Sequence, residues 1–216
     1  MLQSIRQSGL CGFATVLSLS LLASEIAQAY PDQPIRIIVA FSPGGSSDIV
    51  IRALQPTLAE DLHQRVVIEN RTGAGGNIGI AAVVQAAADG YTLGVAAAGV
   101  LTVNPHLNRA AMSFDPLKDL VPITLLAEIP FVLVASQQSR FSSVDDVIAA
   151  ARARPGALSI GHGGNGTAMH LTSALFNQKA GVNIQLISYR GSAPAAVDVL
   201  RGTSRWRCWT SPCPSN

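Results

Sequence analysis

The sequence predicts an α/β protein built as two lobes with a cleft between them. Three observations carry this. Short β-branched apolar runs alternate with helix-like stretches. The alternation breaks off and restarts around Pro130. Each half also holds a glycine-rich turn set between a strand and a helix, FSPGGSSD from Phe41 to Asp48 and GHGGNGT from Gly161 to Thr167.

Pro34 to Phe41 reads as a buried first strand, because a continuous apolar run suits a parallel sheet covered on both faces. Ser46 to Leu62 follows as a helix with Ile49, Ala53, Leu54 and Leu58 near helical spacing, and Pro56 is expected to kink it. Val66 to Ile68 is a second strand ending in Glu69-Asn70-Arg71. Gly73 to Asn77 then turns into an alanine-rich helix reaching Ala88, and Tyr91 to Ala97 makes a third strand. Short turns and right-handed crossovers imply a parallel sheet. Asn104 to Asp119 is less regular.

Ile123 to Glu128 and Phe131 to Ala135 read as two strands separated by Pro130, where the chain passes from one lobe to the other. Ser143-x-x-Asp146 has the form of a capped helix start, and Pro155-Gly156 stops that helix. A strand at Leu158, the second glycine turn, a helix from Thr167 to Ala180 ended by Gly181, a strand from Ile184 to Ser188 and a helix from Ala193 complete the pattern. From Thr203 onward the helix and strand patterning stops.

The N-terminus has the form of an export signal. Arg6 is followed by an apolar core from Leu10 to Ala23, and Ala27-Gln28-Ala29 supplies a cleavage pattern after Ala29. The core is shorter than the ~20 residues of a membrane span, and the body is expected to be soluble and outside the cytoplasm. Charged residues make up 13% and apolar ones 48%, against a usual charged share of ~25%. This argues for a well-buried body. A net charge of +2 leaves no basic stripe for nucleic acid. Cys208 and Cys213 follow the signal and could pair in an oxidising compartment.

Both glycine turns present backbone N–H groups at a helix start, where the helix dipole favours an anion. Closing from opposite sides, they could hold one carboxylate. For Gly44 and Gly45 a plain tight turn competes with a ligand-approach role, and the residues leave both open; for Gly75, Gly76 and Asn77 the plain turn leads. Gly161 to Gly166 matches G-x-G-x-x-G, but the acidic residue that would hold a ribose is absent, as is the lysine of a phosphate loop. His63, His106, His162 and His170 lack metal-site spacing and read as surface or core histidines. Ser46 and Ser47 lie beside Asp48 without a nucleophile elbow, and Ser46 fits a helix cap that also faces a ligand. Arg190 could clamp a carboxylate. No cofactor, metal or catalysis is called for.

Several segments in order resemble the Bug-type periplasmic receptors of tripartite tricarboxylate transporters. They are Tyr30 to Val39 with Pro43 to Asp48, Val67 to Arg71 with Gly73 to Gly79, Asp89 to Leu93, Asp115 to Asp119, Gly164 to Thr167 and Tyr189 to Pro194. The resemblance covers about Tyr30 to Gly202. It implies a type II, Venus-flytrap binding protein that closes on a small organic acid and delivers it to a membrane permease. A signal peptide at 1–29, a first lobe at 30–128, a second at 129–202 and an aberrant tail at 203–216 follow, and a monomer is expected. The resemblance places ligand contacts at Ser42, Pro43, Gly44, Gly45, Ser46, Ser47 and Asp48, and at Gly164, Asn165, Gly166 and Thr167. It adds Ala98, Gly99, Tyr189, Arg190 and Gly191 as cleft residues. Relatives continue beyond Gly202 with another strand and a return to the first lobe, so a truncated or frameshifted chain is expected, with the second lobe one strand short. A nonfunctional product and a secreted hydrolase using Ser46 or Ser47 are the alternatives.

Overall fold

The computed structural model describes residues 30–139 and 141–201, and the backbone of 207–212. The export signal at 1–29 and Cys213 lie outside the described residues. Gln33–Asn216 forms one compact unit, separate from Met1–Asp32.

The first sheet has the order β2-β1-β3, all parallel, with β1 at Ile35–Val39, β2 at Val66–Asn70 and β3 at Thr92–Val95. As the central strand, β1 is covered on both faces, and this is why its run is apolar without alternation. Ile35, Ile37 and Val39 pack with Ile51 and Leu58 of α1 (Ser46–Asp61). Ala40 packs with Ile80 of α2 (Asn77–Val84) in a separate cluster that also holds Val100 and Phe114.

The inward face of α1 differs from the expected one. Leu58 packs against the core as expected, but Ile49 is 59% exposed and Leu54 38%, whereas Asp48 and Ile51 are buried and Leu62 joins the packing. The rotation follows from Asp48, whose carboxylate is drawn inward by bonds described below. Pro56 lies inside α1 without ending it; its ring is on the exposed side, where the carbonyl it deprives of a partner can reach water. α2 is shorter than expected, stopping at Val84. After β3, a π-helix at Gly99–Val103 runs into the short α3, Asn104–Leu107.

The strand expected from Ile123 to Glu128 does not form: residues 121–130 have no regular structure, with Val121 88%, Ile123 76% and Leu125 73% exposed. An extended run becomes a strand only when a neighbour takes up its N–H and C=O groups, and among the described residues none does.

The second sheet has the order β4-β7-β5-β6, with β4 at Phe131–Ala135, β5 at Ser159–His162, β6 at Gln185–Ser188 and β7 at Arg207–Pro212. β7 runs antiparallel to β4 and parallel to β5. The sequence reading expected this sheet to be a strand short. Instead the row of unpaired groups on β4 faces that on β5, and an extended backbone satisfies both whatever its side chains.

Helix α4 (Val144–Ala153) starts at the expected capping box, in which the Asp146 N–H donates to Ser143 Oγ at 3.1 Å and the Ser143 N–H to Asp146 Oδ2 at 3.0 Å. Helix α5 (Ala168–Ala180) is capped by Thr167 and ended by left-handed Gly181, and α6 spans Ser192–Arg201. Val147, Ala151, Leu158, Ile160 and Ile184 form the core of this lobe.

Candidate binding cleft

The first glycine turn is held together from inside by Asp48, 2% exposed. Its carboxylate accepts the Gly44 N–H at 2.8 Å, Arg52 Nε at 2.8 Å and Asn70 Nδ2 at 2.8 Å. Burial alone would raise the Asp48 pKa, but the bonds from Arg52, Gly44 and Asn70 together hold it below the usual carboxylate value. Asp48 thus shapes the turn, and its oxygens are spent there rather than offered to a ligand. Gly45, not Ser46, occupies the N-cap, with no side-chain capping bond; Ser46 is the first helical residue. The outer side of the turn rests on the start of α6: the Ser42 N–H donates to the Arg190 carbonyl at 3.2 Å and the Ser46 N–H to Ser192 Oγ at 3.4 Å. A Cβ at Gly191 would overlap Ser42 Oγ.

The second glycine turn is built on two histidines. His162, 1% exposed, sits with Nδ1 3.1 Å from the Gly164 carbonyl oxygen and 3.3 Å from the Gly164 nitrogen. His170 Nδ1 accepts the Gly166 N–H at 3.3 Å, which places its proton on Nε2. Thr167 donates its hydroxyl to the Gly164 carbonyl at 2.6 Å and accepts the His170 N–H at 3.3 Å. Burial first, and the neighbouring His170 second, push His162 down to about 4. His162 therefore stays neutral and holds the turn. The Gly166 N–H points at His170 and is not available to an anion.

Between the lobes lies a cavity of about 470 Å³. Its first-lobe wall is the 72–76 turn with Phe41 and Ile78; its second-lobe wall is 163–165 with Ser188, Tyr189 and Arg190. Among the described residues, Arg190 is the one charged side chain in this lining. Tyr189 is fixed by its hydroxyl donating to Asp198 Oδ2 at 2.7 Å. A single 3₁₀ turn at Ala74–Gly76 leaves the first N–H groups of that turn without an intrahelical acceptor.

The candidate residues therefore fall into three groups. Gly164, Asn165, Tyr189 and Arg190 line the cavity. Ser42, Pro43, Gly44, Gly45, Ser46, Ser47 and Asp48 stand outside the lining, around the start of α6, as does Gly191. Gly99, Gly166 and Thr167 meet each other across the lobes, with a Cβ at Gly99 falling 2.6 Å from the Gly166 carbonyl, while Ala98 is exposed. Sequence reasoning underrated the 72–76 turn, although it has the same strand–glycine–helix form as the other two. It placed Phe41 at the start of the first glycine turn, Ile78 in a motif segment and Ser188 at a strand end, but named none of them as a cleft residue.

Residues 50–209 match the tripartite tricarboxylate transporter family receptor. The chain belongs to that family. It is 40% identical over 188 residues to protein BugT of Bordetella pertussis (strain Tohama I), covering 87% of this chain and 57% of BugT. Among solved structures it resembles Rpa4515 of Rhodopseudomonas palustris with adipate (33% identity, TM-score 0.79, 85% of this chain and 60% of that one). It also resembles MatC from the same organism with bound malate (28% identity, TM-score 0.76, 84% and 61%). These likenesses show the two-lobed periplasmic binding-protein fold and the Bug resemblance drawn from the motifs. The chain spans 57% to 61% of the length of these relatives.

Proposed function

We propose that this chain is an exported periplasmic receptor that binds a small organic carboxylate between its lobes and presents it to the permease of a tripartite transporter, without catalysis. The observation that carries this reading is the cavity itself, walled by backbone-rich glycine turns and bearing Arg190 as its single charge among the described residues. One carboxylate would lie against main-chain N–H groups of the 72–76 and 163–165 turns, with Arg190 facing either that group or a second acid at the far end. The first lobe would end near Glu128 and the second begin there, with Ser42 to Asp48 and Gly191 shaping the rim. Relatives with adipate and malate make dicarboxylates the first ligands to try.

Thermal unfolding with adipate, malate and a panel of monocarboxylates tests this. A receptor gains stability with ligand concentration and leaves the acid intact. Consumption of the acid would instead indicate an enzyme. The exposed apolar run at 121–126 favours a second reading, in which this body does not bind alone. Its signature is self-association with no thermal response to any acid.

A further inference from the structure

Asn104 does not line the cavity, yet it reaches both of the turns that do. It is 2% exposed and sits where the π-helix Gly99–Val103 hands over to α3. Its Nδ2 donates at 2.9 Å to Oδ1 of Asn77, the residue directly after the 72–76 turn. Its Oδ1 occupies the place that a Cβ at Gly166 would take, directly after cavity-lining Asn165. Gly166 has φ of +76°, so glycine is required there both for the backbone and for the approach. One turn back, Gly99 completes the contact: a Cβ on it would lie 2.6 Å from the Gly166 carbonyl oxygen and 2.9 Å from Thr167 Cα.

We propose that Asn104 is a positioning residue that latches the lobes shut, bracing the two cavity turns against each other from behind through Asn77 and Gly166, with Gly99 as the bare spot that lets them meet. The latch touches no ligand. It sets the fraction of molecules in the closed form, and apparent affinity scales with that fraction. This deepens the receptor reading and rests on it for its use, but the closed contact can be tested without any acid. Removing the Asn104 side chain takes away the brace; adding a methyl at Gly99 wedges the same contact apart.

The experiment places spin labels on the two lobes, at Ile49→Cys in α1 (59% exposed) and Leu175→Cys in α5 (50% exposed), with the native cysteines replaced by serine. Inter-label distances are then measured without ligand. The unsubstituted latch should give a short-distance population that falls several-fold in Asn104→Ala and in Gly99→Ala, with circular dichroism unchanged. Distance distributions in Asn104→Ala that superimpose on the parent's would overturn the proposal, even if Gly99→Ala does not fold. In the presence of adipate or malate, Asn104→Ala should raise the dissociation rate about tenfold and leave the association rate nearly unchanged. Absence of binding by the parent would count against the receptor reading while the distances still decide the latch.

Discussion

His162 and His170 lie with ring centroids 4.6 Å apart and planes tilted by 31° beneath the second glycine turn. Each ring holds one glycine of that turn, His162 at Gly164 and His170 at Gly166. The loop that faces the cavity therefore rests on a buried, neutral His162 with His170 stacked beside it.

The pH dependence follows from the His162 shift. Its folded pKa, about 4, lies below the ordinary ~6.5 of an unfolded histidine. The stabilisation is full above the unfolded value and is lost as pH falls from ~6.5 toward ~4, because the unfolded chain takes up the proton first. The loss is on the order of 3 kcal/mol. Urea midpoints measured between these pH values should fall steeply in the parent and less in His162→Gln.

Asp48→Asn removes the charge and one of the two acceptor oxygens that gather Gly44, Arg52 and Asn70. With the Arg52 ion pair lost, its bond to Asn70 Oδ1 remaining, and a looser turn, the variant should lose about 2–3 kcal/mol by chemical denaturation. Because the folded pKa of Asp48 is lowered, its stabilisation is present above the ordinary carboxylate value and disappears as pH falls through the lowered one. The stability difference between parent and variant should therefore shrink in strong acid.

Gly75→Ala places a methyl against the Asn165 carbonyl at a residue with φ of +65°. Backbone strain costs about 1–2 kcal/mol, and the overlap acts across the cavity. Calorimetric affinity for the acid that binds should drop at least ~10-fold, more than the strain alone would shift the melting temperature.

Arg190→Ala removes the only charge that the described residues bring to the cavity lining. A charge-assisted bond of about 1.5–3 kcal/mol corresponds to roughly 10- to 100-fold in affinity. Comparing a dicarboxylate with a monocarboxylate of similar length locates the contact. An equal loss for both puts Arg190 on the shared group, and a loss confined to the dicarboxylate puts it on the second.

Much of the architecture is legible because it is locally determined. The unbroken apolar run of β1, the Ser143–Asp146 capping box and left-handed Gly181 each carry their structure in adjacent residues. What escaped depends on distant partners. The inward face of α1 is set by Asn70 and Gly44 converging on Asp48, not by the spacing of Ile49 and Leu54. The run at 123–128 has strand composition, but composition does not report whether a neighbour exists. At the site, the glycine turns are visible as turns; which one faces the cavity is decided by how the lobes meet, at Gly75 against Asn165 and Gly166 against Asn104.

The pairing of Ala135 with Cys208 and of Ser159 with Arg207 has a kinetic consequence. Neither β4 nor β5 can complete its ladder until a segment synthesised long after β4 arrives between them, so this half of the molecule closes its sheet late and over a large loop. Until then two bare edges stand ready for any other extended chain, and chaperone dependence during synthesis should concentrate there rather than in the early-completed β2-β1-β3 layer.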